Sequence, residues 1–233
     1  MTKIAILADL HGNMPATLAV EKEIERIRPN EVWFLGDCVG KGPQSDLTLD
    51  WVRKHCDHFV GGNWDYGIAE DRSPEDNYYC KQLGEERLAW LRSLPREAEL
   101  VMSGICFRLF HGRPVTELIF GSDDDEKLNR FFDTPTKTYG GFICADCHRP
   151  SVRMTERGYA INTGSIGNSL GIPKAQFLLL EGEKDSMEPA PLHISTLCIP
   201  YDNAAAAEIA KQYPDLPFCE SYRKEVMTGI YSR

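Results

Sequence analysis

Asp9-Leu10-His11-Gly12-Asn13 stands directly behind an apolar run, Ile4-Ala5-Ile6-Leu7-Ala8. A carboxylate and an imidazole two residues apart at the end of a buried strand can both turn toward one cation. Ligands in open α/β sheets gather at the carboxyl ends of strands. The arrangement recurs along the chain. Glu31–Leu35 runs into Gly36-Asp37, His58–Val60 into Gly61-Gly62-Asn63-Trp64-Asp65, Ile105–Phe110 into His111-Gly112-Arg113, and residues 138–144 into Ala145-Asp146-Cys147-His148-Arg149. Asp or Asn beside glycine is ordinary turn chemistry when it occurs once. An ordered series of such ends is not. The candidate ligands are Asp9, His11, Asp37, Asn63, His111, Asp146 and His148. Carboxylates, imidazoles and an amide together suit a pair of divalent transition metals. Two such ions about 3.5–4 Å apart clamp a phosphoryl group for in-line displacement and turn a bound water into a hydroxide nucleophile.

The elements that must carry these residues alternate strand with helix. After the first strand, Met14-Pro15-Ala16 opens a helix with proline in its first turn, and Ala16, Val20, Ile24 and Ile27 mark its buried face. Glu31–Leu35 completes a βαβ unit, Leu47 and Trp51 suggest the next helix, and His58–Val60 is a short third strand. A helix is expected over 75–94, a hairpin about Ser103-Gly104, a helix start at the acidic run 123–126, and strands over 138–144, 152–154, 159–162, 176–180 and 192–197. Helices over 204–213 and 221–227 close the chain. With no internal repeat and no linker, residues 1–233 read as one domain, of which 201–233 is a C-terminal helical appendage.

A chain of 233 residues suffices for a good-sized α/β core. No apolar stretch reaches membrane-spanning length, and the chain starts on a strand, so a cytoplasmic protein is expected. The eight cysteines are scattered singly in apolar segments (Cys38, Cys106, Cys198) and are expected to be reduced, buried thiols. A net charge of −9 argues against an extended nucleic-acid surface, because phosphate backbones need a basic face.

Several clusters invite other chemistry and are set aside. Cys144-Ala-Asp-Cys147-His148 fits the c-type haem attachment spacing but overlaps the ligand series. His55-Cys56-Asp57-His58 falls at a helix end away from the ligand-bearing edge, and His193 sits on a late strand. Gly40-Lys41-Gly42 lacks the Gly-Lys-Ser/Thr of a P-loop.

The ordered blocks Asp9-x-His11, Gly36-Asp37, Gly62-Asn63-x-Asp65, the lone His111 and the closing His148 resemble the calcineurin-like metallophosphoesterases over most of the chain. The Asp-Leu-His-Gly-Asn start and Asn162-Thr-Gly-Ser-Ile-Gly167 look like the small bacterial phosphodiesterase branch. The Gly-Asn-Trp block and the tail from Tyr201-Asp202 to Gly229 are similar to its diadenosine tetraphosphatases. The resemblance implies a four-layer α/β/β/α sandwich with two mixed sheets. It implies that Asp9, His11 and His148 bind a first metal, that Asp37 bridges, and that Asn63, His111 and residue 146 bind a second, with Asp37, Asn63 and His111 catalytic. Manganese is the expected ion, with iron, zinc or nickel as alternatives.

Two departures from the family pattern shape the expected activity. Asp146 replaces the first histidine of Gly-His-x-His, which implies a harder, weaker second site. Trp64 stands where many relatives have a histidine that assists the leaving group, and indole cannot act as a general acid. Asn63, Trp64, Arg113 and Arg149 are the expected substrate contacts. The expected substrate is a small phosphorylated molecule of nucleotide type, such as a dinucleoside polyphosphate or a phosphodiester. Alternatives are a degenerate interaction scaffold and a phosphoprotein phosphatase, and a homodimer is an open expectation.

Overall fold

A computed structural model describes residues 1–70 and 76–232. The expected start of the fourth helix at Glu75, and the last residue of the tail, lie outside them. The first sheet is built from β1 (Thr2–Leu7), β2 (Glu31–Leu35), β3 (His58–Val60), β9 (Ala175–Gly182) and β10 (His193–Ile199), in the order β10-β9-β1-β2-β3. The second contains β4 (Glu97–Met102), β5 (Ile105–Phe110), β6 (Gly141–Cys144), β7 (Ser151–Thr155) and β8 (Gly158–Asn162), in the order β4-β5-β6-β8-β7. Both are mixed: β1, β2 and β3 run parallel, as do β5, β6 and β8, and the outer strands pair antiparallel.

Alternation along β1 decides the layering. Successive side chains point to opposite faces. Ile4 and Ile6 therefore meet Phe107, Leu109, Ile143 and Ile161 between the two sheets. Ala5 and Leu7 face the other way, into a core closed by α1 (Met14–Ile27), α2 (Ser45–His55), α4 (Asp76–Ser93), α6 (Asn203–Lys211) and α7 (Cys219–Thr228). A third cluster, with Phe110, Leu128, Phe132 and Phe142, covers the far face of the second sheet beneath α5 (Asp125–Asn129). Helix, sheet, sheet and short helix make the four expected layers. The tail helices share the main core through Ala206, Ala207, Ala210, Tyr222 and Val226. Among the described residues no helix is long and apolar enough to cross a membrane.

The helix start expected at the acidic run 123–126 is there: Asp124 caps α5, accepting from the Lys127 amide at 2.8 Å, and Asp123 accepts from the Phe120 amide at 2.8 Å. Other sequence expectations shift. The strand expected over 138–144 shortens to Gly141–Cys144. Asn63 opens a short helix, α3 (Asn63–Ala69), in a stretch to which the sequence assigned no element. All eight cysteines are free thiols, but Cys198 is exposed, because β10 is an edge strand with one face toward solvent. His55 stacks on Trp51 of the helix-side core and His58 on Trp33 of the core between the sheets, so both rings belong to packing.

Candidate metal centre

The carboxyl ends of β1, β2, β5 and β6 meet at one edge, and their loops are laced together by backbone bonds. Asp9 donates to Gly36 O at 2.9 Å, His11 to Asp37 O at 3.2 Å and Ala145 to His111 O at 2.7 Å. The approach is close enough that a Cβ on Gly62 would lie 2.2 Å from Asp37 Oδ1. Asp9, His11, Asp37, Asp146 and His148 all have left-handed backbones, with φ between 46° and 65°. Such residues cost roughly 1–2 kcal/mol each and persist where surrounding structure holds them. At Asp9 the loop after β8 does so. Ile166 donates to Ala8 O at 3.1 Å, Gly167 to Asp9 O at 2.8 Å, and the Ser165 hydroxyl to Asp9 O at 3.0 Å.

Three imidazoles are aimed by the same device. Nδ1 of His11 donates to Val39 O at 3.0 Å, Nδ1 of His111 to Leu35 O at 2.7 Å, and Nδ1 of His148 to Asn168 O at 2.6 Å. A carbonyl can only accept, so each Nδ1 carries a proton and each Nε2 turns inward, the tautomer a metal requires. His11 Nε2 and His148 Nε2 end 3.2 Å apart. Asp9 Oδ1 lies 3.3 Å from His148 Nε2, 3.6 Å from His11 Nε2 and 3.8 Å from His111 Nε2. Asp37 Oδ2 lies 3.3 Å from His111 Nε2 and 3.7 Å from His11 Nε2, while its Oδ1 accepts from the Trp64 amide at 2.8 Å.

Both Asp9 oxygens, Asp37 Oδ2, Asn63 Oδ1 and His111 Nε2 are buried without a hydrogen-bond partner among the described residues. Buried polar atoms are seldom left so, because each costs about 1–3 kcal/mol. Divalent cations would satisfy them together, so the donor set fits the metals expected from the sequence. Two groups of ligand atoms within 4.8 Å of one another emerge, Asp9-His11-His148 and Asp9-Asp37-His111. Asp9 is common to both, while Asp37 faces His11 and His111.

Charge reinforces this geometry. Burial opposes the Asp9 charge, but His148, His111 and His11 hold its carboxyl well below the usual range. Burial lowers His11 to about 4, keeping it neutral. Burial also opposes charge on His111, yet Asp37 and Asp9 raise it well above the ordinary imidazole value.

Asp146, expected as a ligand, is placed differently. Its Oδ2 accepts from Arg113 Nε at 2.9 Å and from the Arg113 amide at 3.0 Å, and its Oδ1 from Nη2 at 2.7 Å. The carboxylate belongs to neither ligand group. A guanidinium fork is the natural partner for a side chain too short to reach where histidine would. Burial would raise its carboxyl; Arg113 and His111 bring it below its ordinary value instead.

A cavity of about 540 Å³ opens over the centre, with Asn63, Trp64, Arg113, Arg149 and Lys41 in its wall beside His148. Arg113 and Arg149 are exposed there, and the Trp64 ring meets His11 edge-on at 5.8 Å. Two groups escaped sequence reasoning. Asp65 accepts from the backbone amides of Asp37 at 2.7 Å, Cys38 at 3.0 Å and Gly62 at 3.0 Å, tying the β2 and β3 ends together. Burial and Asp37 push its carboxyl up to about 7. Its place in Gly-Asn-x-Asp was the available signal. The second group is Lys41, Asn168 and Glu225, which no local pattern announces.

Comparison with known proteins agrees with this architecture. The profile of the calcineurin-like phosphoesterase superfamily domain matches residues 2–185. An uncharacterized protein of Methanocaldococcus jannaschii is 28% identical over 212 residues, covering 78% of this chain and 83% of that one. A metallophosphoesterase from Sphaerobacter thermophilus superposes with a TM-score of 0.77 at 22% identity, covering 98% of this chain and 99% of that one. A hypothetical protein from Pyrococcus horikoshii OT3 does so with a TM-score of 0.80 at 23% identity over the full length of both.

Proposed function

From a chain that belongs to the calcineurin-like phosphoesterase superfamily, we propose a hydrolase that works through two divalent metals on a small phosphorylated molecule of nucleotide type. The observation that carries this reading is the convergence of three Nε2 atoms and two carboxylates, several of them unsatisfied, in a buried edge under a cavity. Asp9, His11 and His148 would hold one ion. Asp37, His111 and Asn63, with Asp9 shared, would hold the other. Bound there, the ions supply positive charge for phosphoryl oxygens and lower the pKa of water.

The chain's own groups do the rest. The backbone carbonyls of Val39, Leu35 and Asn168 fix three imidazoles, and Asp65 fixes the loop that carries Asp37. Arg113 and Arg149 at the cavity wall suit phosphate oxygens. Trp64 occupies the leaving-group side without an ionisable proton, which favours phosphoanhydrides and aryl esters over alkyl esters. A cavity of about 540 Å³ is in the range for small ligands. Manganese suits the mixed oxygen and nitrogen donors, with a second site weakened by the Asp146–Arg113 pair. That pair also favours a second reading, a catalytically weak member acting as an interaction scaffold.

Hydrolysis of bis(4-nitrophenyl) phosphate with and without added manganese tests the reading. Turnover that depends on manganese and disappears in Asp37→Asn is expected. Intact ester in excess manganese rejects the hydrolase and leaves the scaffold.

A further inference from the structure

The cavity over the metal centre has an apolar wall as well as a polar one. Trp64 on α3, Leu118 and Phe120 between β5 and α5, Leu170 between β8 and β9, and Tyr231 beyond α7 all line it. A phosphoryl group bound at the centre has no use for apolar surface. Sites for organic ligands, by contrast, are mostly apolar, with a few polar groups to fix orientation. Trp64 is built into the centre itself, its ring edge-on to His11 at 5.8 Å and to Tyr79 at 6.3 Å. Tyr231 is not. It is 55% exposed, and among the described residues its ring meets no other ring or guanidinium and its hydroxyl has no partner.

A single exposed aromatic is ordinary on a protein surface. The main chain around Tyr231 sets it apart, because irregular surface segments are usually mobile and this one is pinned on both sides. Before it, Gly229 O accepts from the Gly171 amide at 2.8 Å, next to Leu170, and the Ile230 amide donates to Thr228 Oγ1 at 3.1 Å. After it, the Ser232 amide donates to Glu225 Oε1 at 3.1 Å, and Ser232 and Ser221 exchange hydroxyl-to-carbonyl bonds at 3.0 and 3.1 Å. Glu225 is fully buried, and its Oε2 accepts from Asn168 Nδ2 at 3.0 Å. The Asn168 carbonyl in turn accepts from His148 Nδ1 at 2.6 Å. One chain of bonds thus fixes the segment bearing Tyr231 relative to a candidate metal ligand.

We propose that Tyr231 is a specificity-determining residue, its ring stacking on the nucleobase of a nucleotide substrate whose phosphoryl group lies at the metals. This rests on the phosphoesterase reading above. A tyrosine held by its main chain offers a large flat face with only two side-chain torsions to settle, so little entropy is lost when another ring lies on it. Leu118, Phe120 and Leu170 give the same planar group apolar surroundings. Stacking of this kind accepts any base and discriminates against phosphorylated sugars that carry none.

Calorimetric titration of the manganese-loaded protein with the methylenephosphonate isosteres of AMP and of ribose 5-phosphate tests the proposal. The two ligands differ by the base, and neither has an ester bond to break. The wild type is expected to bind the adenine ligand about fivefold or more tighter than the ribose ligand. Tyr231→Ala is expected to weaken the adenine ligand by about fivefold or more, the lower end of aromatic–base stacking, and the ribose ligand by less than about twofold. Tyr231→Phe and Tyr231→Trp, which keep a flat face, are expected to stay within about twofold of the wild type for both. Equal losses for both ligands in Tyr231→Ala, no loss for the adenine ligand, or a wild type that does not distinguish the two would overturn the proposal. Hydrolysis of bis(4-nitrophenyl) phosphate by the wild type keeps the two ideas apart. No turnover in excess manganese rejects the hydrolase, while the ratio of the two affinities still decides on Tyr231.

Discussion

His11 and His148 present their Nε2 atoms to each other at 3.2 Å, each with its Nδ1 proton already committed to a backbone carbonyl. Two imidazole lone pairs at that separation repel unless a positive charge lies beside them. Asp9 Oδ1, 3.3 Å from one and 3.6 Å from the other, marks where that charge belongs. The fold spends its connectivity on this meeting, since the two histidines are 137 residues apart.

Removing Asp65 should loosen the edge that carries Asp37. Asp65→Ala leaves three buried amides, those of Asp37, Cys38 and Gly62, without their acceptor. At about 1 kcal/mol or more for each, the loss is about 3 kcal/mol. In a chain of this size that lowers the melting temperature by about 6–12 °C. Calorimetry or thermal circular dichroism reads it, and an unchanged melting temperature would show that water replaces the carboxylate.

Asp146 is a carboxylate held by a guanidinium at the position where the resemblance led to the expectation of an imidazole. Asp146→His should free Arg113 and restore a nitrogen donor toward the second ion. Affinity for the second manganese equivalent should rise about tenfold, the scale of a changed ligand environment. Titration calorimetry resolves the two equivalents, and no gain would mean that Asp146 does not limit that site.

Metal binding should expel a proton. Asp37 and Asp9 overcome burial and raise His111, so the metal-free protein holds a proton on this ring at pH 7, whereas His11, lowered to about 4, is already neutral. An ion at His111 Nε2 displaces that proton, so apparent affinity rises with pH until the ring ionises by itself. Calorimetry in buffers of different ionisation heat should give about one proton released at pH 7. Buffer-independent heats would contradict it.

The leaving-group side should respond to Trp64→His. An imidazole there can deliver a proton, an effect worth about 10²-fold or more where the leaving group needs one. Hydrolysis of an alkyl phosphodiester should rise at least tenfold relative to the 4-nitrophenyl ester. Equal changes for both esters would assign Trp64 to packing against Gly40 and Tyr79 alone.

Strand ends were legible because buried parallel strands announce themselves as apolar runs, and Asp or His immediately after such a run has few other places to go. Asp9, His11, Asp37, His111 and His148 were found that way, and the structure brings them together. What the sequence hid depends on long-range geometry. The Asp146–Arg113 fork spans 33 residues, and Lys41 meets Asn168 across 127. Helix α3 follows two glycines and occupies only seven residues, too short for periodicity to declare it. Cys198 looked like a core thiol because its neighbours are apolar, but only the position of β10 at a sheet edge decides which face is wet.

The central claim is that these side chains hold two cations within one ligand set. Electron paramagnetic resonance of the protein loaded with two equivalents of manganese reads the separation of the ions directly. The account predicts the multiline signal of a spin-coupled pair, lost in Asp9→Ala because Asp9 belongs to both ligand groups. Two independent six-line centres, or manganese left free in solution, would contradict it.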